Sequence, residues 1–421
     1  MVKNTRKIED FTFVKKHKKY GLEMVSIKEL KKEKVSLIRN PVMSDFQMGG
    51  VGNCSVVAAL AALSTRPEFM SEIFPAIEHS KKRGTKIHFK LFCKGVATTL
   101  TVDDALPYLK GCGLAYARSY NYQNKYLASY FEKAYVKQTC YNSYSLCEDS
   151  EPLFVFSTFS DCMSCCYFWE ENDPKTSLLD VVTREMEKGS SVVLSSTPDF
   201  DEDGNELSGG HSYTVVEANR DAIKLYDPNC VPVRVPELPS SIASGFKVDK
   251  DKGEFLVGKK VFDDKEVDVV ALHSKNMYKT YFKVHRQVDL KQSKESSEFL
   301  LTSCKISVKE KSTFMVNFFL YSHKVENVGF KLTTEDKKKA DTHFELPEVF
   351  TTDNFSRLKK GDYLTQYFQR FELKAGKYEF CIIIELSNEQ LKKSAKADFL
   401  LKIGSTSECS FKELSDKTKI N

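Results

Sequence analysis

The sequence predicts an α+β fold: a two-lobe core, mainly helical and then strand-rich, followed by an antiparallel β-sandwich. Three observations predict it. The run from Cys54 to Leu63 is rich in Ala and Leu and apolar nearly all round, as a buried central helix is. Around 191–196, 211–218 and 222–228 the chain turns to Val, Thr and Tyr, residues that favour strands. Beyond 279, runs such as Cys304-Lys305-Ile306-Ser307-Val308 and 378–386 alternate with period two, the pattern of half-buried antiparallel strands.

The elements follow in order. Residues 1–35 form a basic segment, helical or poorly ordered. Residues 36–145 are the helical lobe carrying Cys54, and 146–275 the strand-rich lobe carrying His211 and Asp227. Within the second lobe, 178–188 has the spacing of an amphipathic helix. Residues 279–405 make the sandwich, with the polar stretch 292–298 and the charged stretch 333–342 as its loops. Residues 406–421 read as a polar tail. A chain of 421 residues has room for two or three domains.

Composition narrows the class. A hydrophobic share of 41% permits real cores. No stretch approaches the roughly 18 uninterrupted apolar residues of a spanning helix. The lysine-rich start lacks the apolar region of a secretory signal. With no such signal, twelve cysteines fit a reducing, cytoplasmic setting. The cluster Cys162-Met163-Ser164-Cys165-Cys166 has no second ligand pair at zinc spacing and reads as loop and core. The net charge of +5 is spread over scattered lysines, which indicates solvated faces rather than a nucleic-acid surface.

Chemistry enters at Gly49-Gly50-Val51-Gly52-Asn53-Cys54-Ser55. Glycine breaks end at a cysteine where the helical run begins, so a thiol sits in the first turn. Unpaired N–H groups and the positive end of the helix dipole favour an anion there. They lower a thiol pKa and can hold an oxyanion. The plain alternative is a small buried cysteine at the start of a core helix.

The second piece is Gly209-Gly210-His211-Ser212-Tyr213, entering a strand that turns at Asn219-Arg220-Asp221 and returns to Asp227-Pro228. A hairpin centred on Asn219 and Arg220 sets His211 opposite Asp227 or Pro228, with both side chains at the open end. A carboxylate facing an imidazole fixes its tautomer and orientation. Cysteine, then a distant histidine on a strand, then an Asn or Asp acceptor is the order of papain-type cysteine proteases. A lone strand histidine is more often structural; the glycines before it and the carboxylate opposite it argue for chemistry.

At these residues the chain resembles the calpain family of intracellular cysteine proteases. Thr101-Val102-Asp103-Asp104-Ala105-Leu106-Pro107, Tyr130-Phe131-Glu132-Lys133-Ala134-Tyr135-Val136-Lys137, Lys252-Gly253-Glu254-Phe255 and Arg370-Phe371-Glu372-Leu373-Lys374-Ala375-Gly376-Lys377-Tyr378 are similar to family segments in the same order. The resemblance implies a papain-like core followed by a calpain-type β-sandwich. The departures matter equally. The family's Trp after the nucleophile is Ser55, its oxyanion Gln falls on Met48, and its Asn acceptor is Asp227. Gln47 is one position off, and Gly49 and Gly50 offer freedom to re-aim it. One missing oxyanion donor costs about 100- to 1,000-fold in turnover.

The resemblance also implies calcium, through one site per lobe. Asp45 and Glu132 match first-lobe ligands and Glu254 a second-lobe ligand, and hard oxygen donors suit the ion. Lys252 and Val233 stand where further second-lobe acids are expected, so that site is impaired. Asp199-Phe200-Asp201-Glu202-Asp203-Gly204 matches half of an EF-hand loop, but position twelve is Gly210 rather than Glu. It reads as a solvated acidic loop.

The resulting expectation is a calcium-regulated, calpain-like endopeptidase that cuts extended segments of protein substrates. Cys54 is its nucleophile, His211 the base and acid, Asp227 the orienter and Gln47 an oxyanion donor. No EF-hand module follows the sandwich, so the family's small-subunit interface is not expected. The alternative is a catalytically silent relative binding proteins or phospholipid through its sandwich. Transglutaminase-type acyl transfer uses the same three residue types, but the flanking segments match calpains.

Overall fold

The structure, a computed structural model, describes residues 21–28, 37, 40–80, 84–119, 126–140, 142–148, 150–167, 177–196, 207–230, 238–259, 262, 267–289, 298–321, 327–334, 342–345, 350–351, 365–385 and 396–414. The chain divides into two compact units, Met1–Ser274 and Lys275–Asn421.

The first unit opens with strand β1 (Leu22–Ser26) and helices α1 (Cys54–Ser64) and α2 (Pro67–Ile73). Strands β2 (Ala76–Ser80), β3 (Gly84–Cys93), β4 (Val96–Asp103), β5 (Ala105–Leu109) and β6 (Gly113–Leu114) follow. Then come α3 (Leu127–Thr139), α4 (Pro152–Phe159), β7 (Ser164–Tyr167) and α5 (Leu178–Glu187). Strands β8 (Ser191–Ser196), β9 (Ser212–Ala218), β10 (Ala222–Tyr226), β11 (Glu254–Gly258) and β12 (Val267–Leu272) complete it, with a short helix α6 (Ser240–Ala243) before β11. Two three-stranded sheets have orders β1-β5-β6 and β2-β3-β4, and an antiparallel six-stranded sheet runs β11-β10-β9-β8-β12-β7.

Among the described residues of 36–145 there is about as much strand as helix, which corrects the expectation of a mainly helical lobe. The cause is local. Ile87, Phe89 and Leu91 alternate inward on β3 and are fully buried. Lys94 and Gly95 both take positive φ, 51° and 71°, and close β3 onto β4 with Cys93 opposite Val96. Paired positive φ values match the twist of a two-residue hairpin.

Helix α1 is the core of the unit. Val56 to Leu63 are each fully buried, and the helix packs against α4, β8 and β9. An all-apolar helix needs such enclosure, because each buried aliphatic side chain contributes about 1.5–3 kcal/mol. Helix α5 forms where its apolar periodicity predicts. Ser177 caps it, its Oγ accepting from the Asp180 N–H at 3.1 Å.

The second unit holds β13 (Thr280–Asp289), β14 (Glu298–Val308), β15 (Ser312–Leu320), β16 (Asn327–Thr334), β17 (Thr342–Glu345), β18 (Phe350–Thr351), β19 (Thr365–Leu373), β20 (Gly376–Glu385), β21 (Lys396–Ser405) and β22 (Cys409–Glu413). They form two antiparallel five-stranded sheets, β13-β21-β15-β19-β18 and β17-β16-β20-β14-β22. Side chains from both sheets make one hydrophobic core. Phe371 stacks on Phe380 at 6.1 Å and Phe318 meets Phe330 edge-on at 6.5 Å, each pair joining one sheet to the other. β22 falls where a polar tail was expected. Cys409 and Phe411 alternate inward and pack against the core, and the strand pairs with β14. Of the expected loops, 333–334 continue β16 and 342 opens β17. Of the basic segment 1–35, expected to be helical or poorly ordered, Leu22–Ser26 form strand β1; residues 1–20 and 29–35, the acidic loop 199–204 and Val233 lie outside the described residues.

Candidate active site

Cys54 is the first residue of α1. The chain arrives through a loop pinned from both sides. Gln47 and Arg118 exchange backbone bonds of 2.8 and 2.9 Å, Met48 N–H donates to Pro228 O at 2.7 Å, and Gly50 N–H donates to Ala115 O at 2.8 Å. The glycines serve close approach rather than freedom. A Cβ on Gly49 would collide with the Tyr116 carbonyl group. Gln47 is therefore held in a bridge with Arg118, and its Oε1 accepts from Arg118 Nε at 3.4 Å.

Asn53 precedes Cys54 and makes no side-chain cap. Its Nδ2 donates instead to Glu132 Oε1 at 2.6 Å and lies 3.7 Å from Cys147 Sγ. The first N–H groups of α1 are thus not consumed by the Asn53 side chain, which suits an anion at this helix start.

His211 comes from the entry to β9. Its Nε2 lies 2.9 Å from Asp227 Oδ1, and its ring is close enough to Cys54 for each to shift the other's proton affinity. The hairpin turn spans Asn219 to Ala222, because Asn219 Oδ1 accepts from the N–H groups of Asp221 and Ala222. That moves the apex beyond the expected Asn219–Arg220 centre. A register shift between Lys224 and Leu225 follows, and the two side chains still meet. Gly253, at φ +82°, packs its backbone against Asp227, and a Cβ there would stand 3.0 Å from the Asp227 carbonyl oxygen. Asp227 N–H donates to Gly253 O at 2.9 Å.

The electrostatics follow from these contacts. Burial pushes the Cys54 thiol up. The hydrogen bond and charge of His211, the Ser212 backbone and Ser55 outweigh burial and hold it below the ordinary thiol range. Burial pulls His211 down, but bonds to Asp227 and Cys54 raise it to about 9. Both shifts favour the charged forms, a thiolate beside an imidazolium.

Three contributors escape sequence reading. Ser212 faces Cys54 through its backbone, and its Oγ lies 3.0 Å from Ser55 Oγ and 2.9 Å from Ser195 Oγ. Asn229 donates its N–H to Asp227 Oδ1 at 2.8 Å, and its Nδ2 lies 3.5 Å from His211 Nε2. Asn53 ties the nucleophile loop to α3. Adjacency to His211 and Asp227 was the available signal for the first two; Asn53 had none, since its position reads as an ordinary cap.

The three carboxylates matched to calcium are not gathered into a metal cage. Glu132 is fully buried. Its oxygens accept from Asn53 and from Ala117 N–H at 3.1 and 3.2 Å, and burial raises its pKa to about 8. Asp45 accepts from Val42 N–H at 2.9 Å and Ser119 Oγ at 2.8 Å. Glu254 accepts from Asp249 N–H at 2.9 Å, with the Lys224 ammonium 3.6 Å away. Among the described residues no group of three or more His, Cys, Asp or Glu is arranged to hold a metal ion. Protein hydrogens reach both oxygens of Asp45 and of Glu132 and the Oε2 of Glu254.

The sequence profile of calpain family cysteine proteases matches residues 9–236. The calpain-2 catalytic subunit of Mus musculus is 26% identical over 205 residues, covering 47% of this chain and 28% of that protein. Calpain-8 of Rattus norvegicus is 25% identical over 185 residues, 42% of this chain and 26% of that protein. The calpain-1 catalytic subunit of Homo sapiens is 25% identical over 209 residues, 48% and 28%. The matched region is thus less than a third of each relative's length.

Proposed function

Because the chain belongs to the calpain family of cysteine proteases, we propose that it is a cysteine endopeptidase working through Cys54, His211 and Asp227. One observation carries the proposal: His211 Nε2 lies 2.9 Å from Asp227 Oδ1 while the same ring interacts with Cys54 and lowers its thiol pKa.

In this mechanism the Cys54 thiolate attacks a peptide carbonyl carbon. The carbonyl π pair moves to oxygen, and the backbone N–H of Cys54 at the start of α1 holds that oxyanion. Collapse expels the amine, which takes its proton from the His211 imidazolium, leaving a thioester. Neutral His211 then accepts a proton from water as the water attacks the thioester. Collapse returns thiolate, imidazolium and the carboxylic acid product. Asp227 keeps the ring oriented and favours its charged form. Gln47 is assigned an accessory role at the oxyanion, with its carbonyl end engaged by Arg118. Substrates are extended segments of other proteins. No chemical step is routed through calcium; regulation by the ion is what the family resemblance implies.

In this reading the first unit is a two-lobe protease core, and the second is a calpain-type β-sandwich offering a protein or phospholipid contact. A cytoplasmic location agrees with its twelve free cysteines. No helix among the described residues is long and apolar enough to cross a membrane.

A second reading, a silent partner-binding relative, is favoured by one observation. Met48 stands at the family's oxyanion position and its backbone is fixed to Pro228. Hydrolysis of a denatured protein substrate separates the two. Turnover by the wild type and loss of it in Cys54→Ala, with unchanged melting temperature, supports the protease. Equal turnover in Cys54→Ala sinks it, and no turnover by either protein favours the silent reading.

A further inference from the structure

The segment carrying Cys54 and the strands carrying His211 and Asp227 are stitched together by direct hydrogen bonds. Thr214 Oγ1 donates to Ala58 O inside α1 at 2.7 Å, and Tyr226 Oη to Phe46 O at 2.7 Å. Arg66 donates to Ser190 O at 3.1 Å, and Met48 N–H to Pro228 O. Closest to the reacting thiol is a chain of three hydroxyls. Ser55 on α1 meets Ser212 on β9 at 3.0 Å, and Ser212 meets Ser195 on β8 at 2.9 Å. Ser195 and Ser212 are directly opposed in the sheet.

Ser212 holds the centre of this chain. It is 2% exposed, follows His211 directly, and its backbone faces Cys54. Fixing its hydroxyl between α1 and β8 therefore fixes thiol and imidazole together. A tryptophan at position 55 has no hydroxyl to offer. The serine that departs from the family pattern is what completes the chain.

We infer that the Cys54–His211 pair is held in working register by the Ser55–Ser212–Ser195 staple, with Ser212 as positioning residue. The inference rests on the reading of Cys54 and His211 as a reactive pair. The step involved is reorientation only; no covalent bond changes.

The test uses the full chain and iodoacetamide, which alkylates any accessible thiolate and needs no turnover. The rate at Cys54 is followed by mass spectrometry against pH, in EGTA and in calcium chloride. The titratable group facing Cys54 is His211, and Asp227 and Tyr213 face His211. In EGTA the wild-type thiolate is expected to form below the ordinary thiol value of about 8.5. Ser212→Ala is expected to slow alkylation near pH 6.5 about ten-fold, the equivalent of one pKa unit, in both conditions. Ser212→Thr, which keeps a hydroxyl, restores most of it. If Ser212→Ala does not fold, Ser55→Ala cuts the same chain from α1 and is expected to move the profile the same way.

An ordinary thiol profile in EGTA that drops only on adding calcium overturns the inference. So does an unchanged profile in both Ser212→Ala and Ser55→Ala. Failure of the protease reading has a different signature: a low, calcium-independent profile with no peptide hydrolysis upholds the staple and removes the activity.

Discussion

Asn53 Nδ2 donates to Glu132 Oε1 at 2.6 Å, so the residue before the nucleophile is bonded to the middle of α3 rather than to its own helix. Both side chains are fully buried. Glu132 also accepts from Ala117 N–H, and Ala117 adjoins the Arg118 that bridges to Gln47. One buried carboxyl thereby organises both strands of the loop leading to Cys54. Removing a donor from a buried carboxyl costs about 1–3 kcal/mol. Asn53→Ala is expected to lower the melting temperature by several degrees, as about 1 kcal/mol corresponds to 2–4 °C at this domain size. It should also slow Cys54 alkylation. Thermal unfolding with an unchanged midpoint would contradict this.

Asp227 sets the basic edge of the pH profile. His211 is raised above its ordinary 6.5 to about 9, so the imidazolium persists until pH approaches 9 and is lost above it. The kcat/KM profile is expected to fall near pH 9. In Asp227→Asn the acceptor remains but the charge is gone, and the limb moves toward lower pH. Cys54 still supports the ring's proton, so the limb stays above 6.5. A pH–rate series on both proteins checks this; coincident basic limbs would remove the role given to Asp227.

Gly49 has no room for a side chain. A methyl group there would run into the Tyr116 carbonyl oxygen, so Gly49→Ala must push the loop off its partner strand. Overpacking of this kind costs about 1–3 kcal/mol. Gly52 meets nothing within 4 Å of its own Cβ position, so Gly52→Ala is the matched control. Equal melting temperatures for the two variants would show that the loop yields freely.

A second thiol–imidazole–carboxylate cluster acts in stability rather than chemistry. His273 Nε2 lies 3.1 Å from Glu185 Oε2 and 3.2 Å from Cys165 Sγ. Both partners meet the same ring nitrogen, whereas a relay needs one on each. Burial pulls His273 down, but Cys165 and Glu185 raise it to about 9. Burial pushes Glu185 up, yet His273 and Lys188 hold it well below the usual carboxylate range. The histidine contribution is complete below its ordinary value of 6.5 and is lost as pH rises through about 9. The carboxylate contribution is present above its ordinary range and lost in strong acid. Breaking a buried pair costs about 3–5 kcal/mol. Glu185→Gln is expected to destabilise by that amount near neutral pH and by less in a buffer about one unit above the folded histidine value. Urea unfolding in the two buffers measures it, and an equal loss in both would refute the ion pair.

Local pattern made much of this legible. The apolar run after Cys54 has one physical solution, a buried helix, and the Thr/Val/Tyr strands flanking a turn at Asn219 have another. The hairpin of β3 and β4 was hidden because Lys94 is not a residue that advertises positive φ. β22 was hidden because only Cys409 and Phe411 signal inward alternation among polar neighbours.

The sequence by itself determined that a thiol opens an apolar helix, that His211 and Asp227 share the end of one hairpin, and that the segments follow the calpain order. Periodicity and propensity are local, and so are these conclusions. Only the tertiary structure decided what the polar side chains of Asn53, Ser55, Ser212 and the three candidate calcium carboxylates bond to. A buried donor or acceptor takes whatever partner the packing brings within about 3 Å, and for Ser55 and Ser212 that partner lies 157 positions away in the chain.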